Sequence, residues 1–150
     1  MKLRQARDRD VEPIMDLEAR ADLNTYLHRW DRPRLQAALT EREIDLLVAE
    51  DASGQTLGYA IIRHHPERVI ELIRLTVAVP GRGTGSSLLA ALLDAYRSAA
   101  RIWLDVYADN DRARRVYERA GFALCAEGEG PRGRLLIMDY RPTPAADHSA

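Results

Sequence analysis

Asn110-Asp111-Arg112-Ala113-Arg114-Arg115-Val116-Tyr117-Glu118-Arg119-Ala120-Gly121-Phe122 sets an amide and a phenol seven residues apart on a short amphipathic segment that stops at Gly-Phe. Seven residues is almost two turns of α-helix, so Asn110 and Tyr117 project from one side of it, the amide at its mouth and the phenol deeper. Such a pair can line one ligand channel. Ala113, Val116, Tyr117 and Ala120 also stand at i, i+3, i+4 and i+7, the stripe of any helix packed on a core. Periodicity alone therefore leaves Tyr117 as either a ligand group or a core residue.

Upstream, Val79-Pro80-Gly81-Arg82-Gly83-Thr84-Gly85-Ser86 joins an expected strand to an expected helix. Glycines at alternate positions let the backbone approach a ligand closely and take up positive φ. The N–H groups of the next helix's first turn, together with its dipole, then favour an anion, with phosphate the natural occupant. Arg82 adds a charge-assisted contact. The same glycines also suit a tight strand–helix connection that holds no ligand. A Walker loop of a nucleoside-triphosphate site ends in Gly-Lys-Ser/Thr, but the chain's one lysine is Lys2. A dinucleotide-binding turn comes early in a βαβ unit, with an acid about 20 residues further on. This turn instead follows a hairpin, past the middle of the chain.

In Val69-Ile70-Glu71-Leu72-Ile73-Arg74-Leu75-Thr76-Val77, alternation with period two predicts that Glu71 shares a face with Ile73, Leu75 and Val77. A carboxylate among apolar neighbours has its proton affinity raised, which suits a general base working near neutral pH. A salt bridge to Arg74, or a place on a solvated strand edge, is the structural alternative for Glu71.

Taken together, these segments resemble the GNAT superfamily of N-acetyltransferases, which take acetyl from acetyl-CoA. Residues 110–122 match the family pattern Asn-x-x-Ala-x-x-hydrophobic-Tyr-x-x-x-Gly-Phe. Gly83 and Gly85 match the glycines of its pyrophosphate motif, Gln/Arg-x-x-Gly-x-Gly/Ala, and Gly81 and Ser86 match residues often found beside them. Pro80 stands where the family usually has Gln or Arg, and the loop after Val77 is shorter. The resemblance follows the element order over residues 1–141 and is specific over 69–122.

It implies that Arg82, Gly83, Thr84, Gly85 and Ser86 hold the pyrophosphate of acetyl-CoA. Backbone groups around Val77, Ala78 and Val79 would pair with the pantetheine arm and polarise the acetyl carbonyl, and Asn110 would bond to the same arm. Only a neutral amine attacks a thioester, and a free alkylammonium has a pKa of about 10.4, so the acceptor needs a base. The resemblance assigns that role to Glu71, commonly acting through water. Tyr117, a phenol with a pKa of about 10, would protonate the departing thiolate. In the family the first two helices and the last hairpin line the acceptor pocket. Asp22, Tyr26, His28, Arg29 and Trp30 fall in the first region, and Glu127 and Glu129 in the second. Homodimers are common in the family.

At 150 residues the chain fits one domain, and a domain of this size buries about 68–70% of its unfolded surface, enough for a core without a disulfide or metal. The one cysteine, Cys125, excludes an intrachain bridge and reads as a small strand residue. The 22 basic and 23 acidic side chains nearly cancel, which gives no electrostatic case for nucleic acid or an anionic membrane as partner. Charged residues follow the N-terminus, and no apolar run reaches about 18 residues. A soluble, cytoplasmic protein is the expectation. His28, His64, His65 and His148 stand without partners at metal-ligand spacing, so no metal site is expected.

The patterning predicts a strand over Leu3–Ala6, a helix to about Arg20 capped by Asp8 or Asp10, and a helix from Arg32 to Thr40 with Pro33 in its first turn. A hairpin over Ile44–Glu50 and Leu57–Arg63 follows, then the long strand Val69–Val79. Next come a helix over Ser86–Ala99, a strand over Ile102–Tyr107 and the Asn110 helix. A last hairpin joins Phe122–Glu127 to Arg134–Tyr140 across a Gly/Pro-rich loop. The expected fold is α+β, a mixed sheet flanked by helices in the order β-α-α-β-β-β-α-β-α-β-β. One N-acetyltransferase domain would span 1–141, with a disordered tail over 142–150. Two rival functions stay open: a non-catalytic acyl-CoA-binding or regulatory domain, and a nucleotide-binding protein using the glycine loop.

Overall fold

A computed structural model describes residues 1–20 and 30–142. The expected tail from Thr143 onwards lies outside these residues. Strands and helices follow in the order β1 (Lys2–Gln5), α1 (Val11–Arg20), α2 (Arg32–Ala38), β2 (Ile44–Glu50), β3 (Thr56–His65), β4 (Val69–Val77), α3 (Thr84–Ala95), β5 (Arg101–Tyr107), α4 (Asp111–Ala120), β6 (Ala123–Gly130) and β7 (Gly133–Tyr140). This is the expected α+β order. Asp31 caps α2 by accepting the Arg34 amide at 3.0 Å, which leaves Pro33 in a first turn where its missing N–H costs little. At α1 the capping expectation is only partly met. Asp10 accepts the Arg7 amide at 2.8 Å from within a short 3-10 turn, and it is buried against the Arg4 guanidinium.

Among the described residues, seven strands form one sheet in the order β1-β2-β3-β4-β5-β7-β6, in which only β4 and β5 are parallel neighbours. Two apolar clusters cover it. Leu88, Leu89 and Leu92 of α3, with Val116 and Ala120 of α4, pack on one face against Ile70, Leu72, Leu104, Leu136 and Met138. Val11, Ile14 and Leu17 of α1, with Leu35 and Ala38 of α2, pack on the other against Leu46, Val48, Tyr59 and Ile61. α1, α2 and α3 each bury one stripe, as amphipathic periodicity requires, whereas the α4 stripe Ala113, Val116, Tyr117 and Ala120 is only partly buried.

The alternation argument for β4 fails at one residue. Ile61 of β3 faces Arg74, whereas Ile62 faces Leu72, so Ile73 is an extra residue in β4. A bulge of this kind reverses the facing of everything beyond it. Ile70 and Leu72 before the bulge, and Leu75 and Val77 after it, all pack with the α3–α4 cluster, while Ile73 packs with the α1–α2 cluster. Glu71 therefore lies on the opposite face from Leu75 and Val77, beside Trp103.

The last hairpin also differs from expectation. β6 runs through Gly128 and Glu129 to Gly130, which pairs with Gly133 across a tight turn. Ladder hydrogen bonds to β7 override the turn-forming tendency of those glycines at this sheet edge.

At the far end of β4, Gly58 faces Val77, and a Cβ on Gly58 would stand 2.5 Å from the Thr76 carbonyl oxygen. Gly58→Ala is expected to lower stability by about 1–3 kcal/mol through overpacking against backbone, measured by urea unfolding. A variant as stable as the parent would show that the end of β4 shifts freely.

Candidate active site

β4 and β5 pair over only three residues, Val69–Glu71 with Arg101–Trp103. Beyond that point β4 stays with β3 and β5 stays with β7, so the two strands part. A cavity of about 400 Å³ opens in the gap. Leu75, Thr76, Val77 and Ala78 form one wall, and Asn110, Ala113, Val116 and Tyr117 form the other. Leu17 and Arg20 of α1 border it from the far face of the sheet. Its lining therefore draws on elements from both faces.

Pro80, Gly85 and Arg112 lie at the loop end of the cavity. Gly81 (φ 85°) and Gly83 (φ 77°) take up the left-handed conformation that glycine adopts without penalty. Gly83 precedes α3 and offers no side-chain cap, and its carbonyl accepts the Ser87 amide at 3.1 Å. The N–H groups of the first turn, Thr84 to Ser86, are those a helix leaves to an outside acceptor. Of the two arginines near the loop, Arg82 is exposed and Arg112 borders the cavity. An Arg112 Nη2 lies 3.4 Å from where a Cβ on Gly81 would stand, which brings the guanidinium beside the loop. Arg112 escaped the sequence reading, although its place in the first turn of the Asn110 helix points it back towards the loop.

Asn110 caps α4 through its amide oxygen, which accepts the Ala113 amide at 3.2 Å. That structural role does not consume the amide's N–H donors. At the other end, Gly121 (φ 106°) terminates the helix in the left-handed conformation, and the Phe122 amide donates to the Tyr117 carbonyl at 3.0 Å. The chain turns so sharply that the Phe122 ring returns to within 5.8 Å of the Tyr117 ring. Local helix-ending geometry thus orients the phenol, and both Asn110 and Tyr117 border the cavity. Of the other expected cofactor residues, Val77, Ala78 and Gly85 line it too. Val79, Arg82, Gly83, Thr84 and Ser86 sit on the adjoining loop and first helical turn.

Across the sheet, where β4 and β5 separate, Glu71 is bonded to His65 Nε2 at 2.9 Å. The His65 ring in turn lies 6.1 Å from that of Trp103. Two residues beyond Trp103, Asp105 points to this same face. Asp105 keeps an exposed surface, but the protein crowding its carboxyl and, next, the negative charge of Glu71 raise its pKa above the ordinary value, against an opposing pull from Arg74. An acid at this position in Ile102–Tyr107 reads locally as an ordinary solvent-facing strand residue. Its relation to Glu71 exists only across the sheet.

Among the described residues, the expected acceptor residues Trp30, Glu127 and Glu129 do not gather beside Asp105. Glu127 pairs with Arg134 at 3.0 Å, and both Glu127 and Glu129 lie on the α4 face, away from Asp105, because they stand opposite Leu136 and Arg134 of β7. Trp30 is buried in the α1–α2 cluster under the Arg34 guanidinium, 4.0 Å from its ring. Asp22, Tyr26, His28 and Arg29 lie outside the described residues. Cys125 is exposed on edge strand β6. His64 and His65 bond to Asp45 and Glu71. Among the described residues, no three His, Cys, Asp or Glu side chains gather as a metal site, and no helix is long and apolar enough to cross a membrane.

The raised pKa of Asp105 fixes the sign of a stability effect. Below about pH 3.9, the ordinary carboxylate value, Asp105 is protonated in the folded and unfolded chain alike. As pH rises through the raised folded-state pKa, the folded parent carries a penalised charge and loses stability. Asp105→Asn is therefore expected to raise the melting temperature at neutral pH and to leave it unchanged in acid. Thermal unfolding at the two pH values tests this, and an equal effect at both would remove the electrostatic account.

Residues 11–122 match the family model described as the acetyltransferase (GNAT) family. The chain is 33% identical over 129 residues to the N-alpha-acetyltransferase RimI of Mycobacterium tuberculosis, covering 75% of this chain and 80% of that protein. It is 34% identical over 102 residues to a mycothiol acetyltransferase of Corynebacterium efficiens, covering 63% of this chain but only 34% of the relative's length. The fold matches the Salmonella typhimurium protein yncA, solved with its cofactor acetyl-CoA, at a TM-score of 0.78 and 22% identity over 100% of this chain and 98% of that one. With the glycine loop, the capped Asn110 helix and the split sheet in place, the chain belongs to the GNAT acetyltransferase family.

Proposed function

We propose that the protein is an N-acetyltransferase that moves acetyl from acetyl-CoA directly to a primary amine. One observation carries this reading: where β4 and β5 part, Tyr117 borders the cavity from α4, and the Glu71 and Asp105 carboxylates lie near each other on the opposite face of the sheet. The α3 amides and Arg112 are suited to the pyrophosphate, and the β4 wall Leu75–Ala78 to the pantetheine arm, with the amide N–H groups of Asn110 opposite. The acceptor amine approaches from the Trp103 side, where carboxylates attract its cationic form.

The chemistry then divides between the two sides. Of the two carboxylates, Asp105 has the raised proton affinity and takes the ammonium proton, directly or through one water. Burial raises that affinity most, and Glu71, held by His65, adds to it with its charge. The freed amine attacks the thioester carbonyl, the C–S bond breaks, and the departing thiolate takes the Tyr117 phenol proton, while the surplus proton on the acylated nitrogen passes, directly or through water, to the phenolate and restores Tyr117. Transfer is direct, with no metal and no covalent enzyme intermediate. A non-catalytic acyl-CoA-binding domain is the rival, since it needs only the Tyr117 side of the gap.

Calorimetric titration with acetyl-CoA, with ATP as control, tests the cofactor; the reading requires binding of the first alone. Tyr117→Phe is expected to keep acetyl-CoA affinity and lose about 10²-fold or more in kcat. Asp105→Asn is expected to lose a similar factor and to abolish the acid limb of the kcat/KM profile, which in the parent lies above the ordinary carboxylate range. Parent-level turnover in both variants, with any amine that the parent acetylates, would return the protein to the binding-domain reading.

A further inference from the structure

Four polar side chains are sealed between α1, β3 and β4 at the point where the sheet divides. Arg74 and Glu18 are 3% and 4% exposed, and Arg74 Nε donates to Glu18 Oε1 at 2.7 Å. The Tyr59 phenol, fully buried, donates to that same carboxylate oxygen and is also hydrogen-bonded with the hydroxyl of Thr76. Burial first, and the charge of Glu18 second, push the phenol's pKa up, so it stays a donor at any ordinary pH.

Their position in the strand is specific. The last β4–β5 pair is Glu71 with Trp103, the bulged residue is Ile73, and Arg74 and Thr76 follow it on the face towards α1. Leu75 and Val77, the alternate residues of the same segment, belong to the cavity wall, as does Thr76 itself. Leu17, next to Glu18 in α1, borders the cavity as well. Nothing about stability alone calls for charges here, because a buried ion pair repays its desolvation only with good geometry, and apolar residues of similar volume serve a core as well. What apolar side chains would not supply is direction: an Arg–carboxylate bond fixes both partners' orientation.

We propose that the Glu18–Arg74 pair, extended by Tyr59 to Thr76, is a positioning device that anchors β4 just past its bulge and so holds the Leu75–Ala78 wall in the register that receives the acyl-CoA arm. The assignment of that wall to acyl-CoA rests on the function proposed above, whereas the anchoring itself does not. Arg74 and Glu18 act through the strand and touch no reacting atom.

Glu18→Gln with Arg74→Met removes both charges and keeps an oxygen for the Tyr59 hydroxyl. Amide hydrogen exchange in this double variant is expected to quicken by about tenfold or more over Leu75–Ala78, and to stay at parent rates over Leu88–Leu92 of α3. Acetyl-CoA affinity is expected to fall by about tenfold, because the wall is no longer preorganised. A purely structural pair would change exchange everywhere or nowhere, and either of those patterns overturns the proposal. If the double variant does not fold, Arg74→Lys carries the same exchange measurement, since it keeps the charge and loses the planar fork; faster exchange confined to 75–78 supports the anchor and parent rates there overturn it. A parent that binds no acetyl-CoA would sink the proposed function, while the exchange pattern would still decide the anchor.

Discussion

Two strands that pair over three residues and then part are the constraint on which the rest of this structure depends. A sheet keeps its strands about 4.8 Å apart by hydrogen bonding, so a gap inside it exposes backbone groups that must find other partners. β4 and β5 each stay in the sheet through a ladder on the outer edge, with β3 and β7 respectively. Past the split, Leu75 to Val77 of β4 line a cavity. α4 closes one side of it, α1 borders the other, and the glycine turn before α3 lies at its end. Every candidate functional group described here takes its meaning from its distance to that gap.

The electrostatics follow the same division. The chain is close to neutral overall, with a formal net charge of −1, yet charges around the gap are sorted. Arg112 and the start of α3 stand at the loop end, and the carboxylates Glu71 and Asp105 stand on the far face. Between them, the buried Glu18–Arg74 pair ties α1 to the bulged strand, and Arg74 also tempers the proton affinity of Asp105. Burial first, and the like charge on the neighbouring strand second, raise the proton affinity of Asp105, at a cost in stability.

The helix-ending signals were readable without any structure because their physics is local. Asn110 caps through the amide three residues on, Gly121 ends the helix through its own φ, and Phe122 returns to Tyr117 as a consequence. The glycine turn was readable for the same reason. The bulge was not: Leu72-Ile73-Arg74-Leu75 contains no glycine or proline to mark it, so period-two alternation put Glu71 on the wrong face. The stretch Gly128–Gly130 misled in the opposite sense, since turn-forming residues became edge strand once β7 supplied partners.

Sequence by itself determined the order of elements, the Asn110-to-Phe122 helix with both its ends, the glycine turn before α3 and thereby the family, because each rests on contacts within a few residues of chain. Tertiary structure alone decided that Arg112 rather than Arg82 borders the cavity, that Glu127 and Glu129 turn away from the carboxylate face, that Glu18 meets Arg74, and that burial and then the charge of Glu71 raise the proton affinity of Asp105. Those are pairings between residues far apart in the chain, and the energy of a charge or a buried hydrogen bond depends on what surrounds it in space.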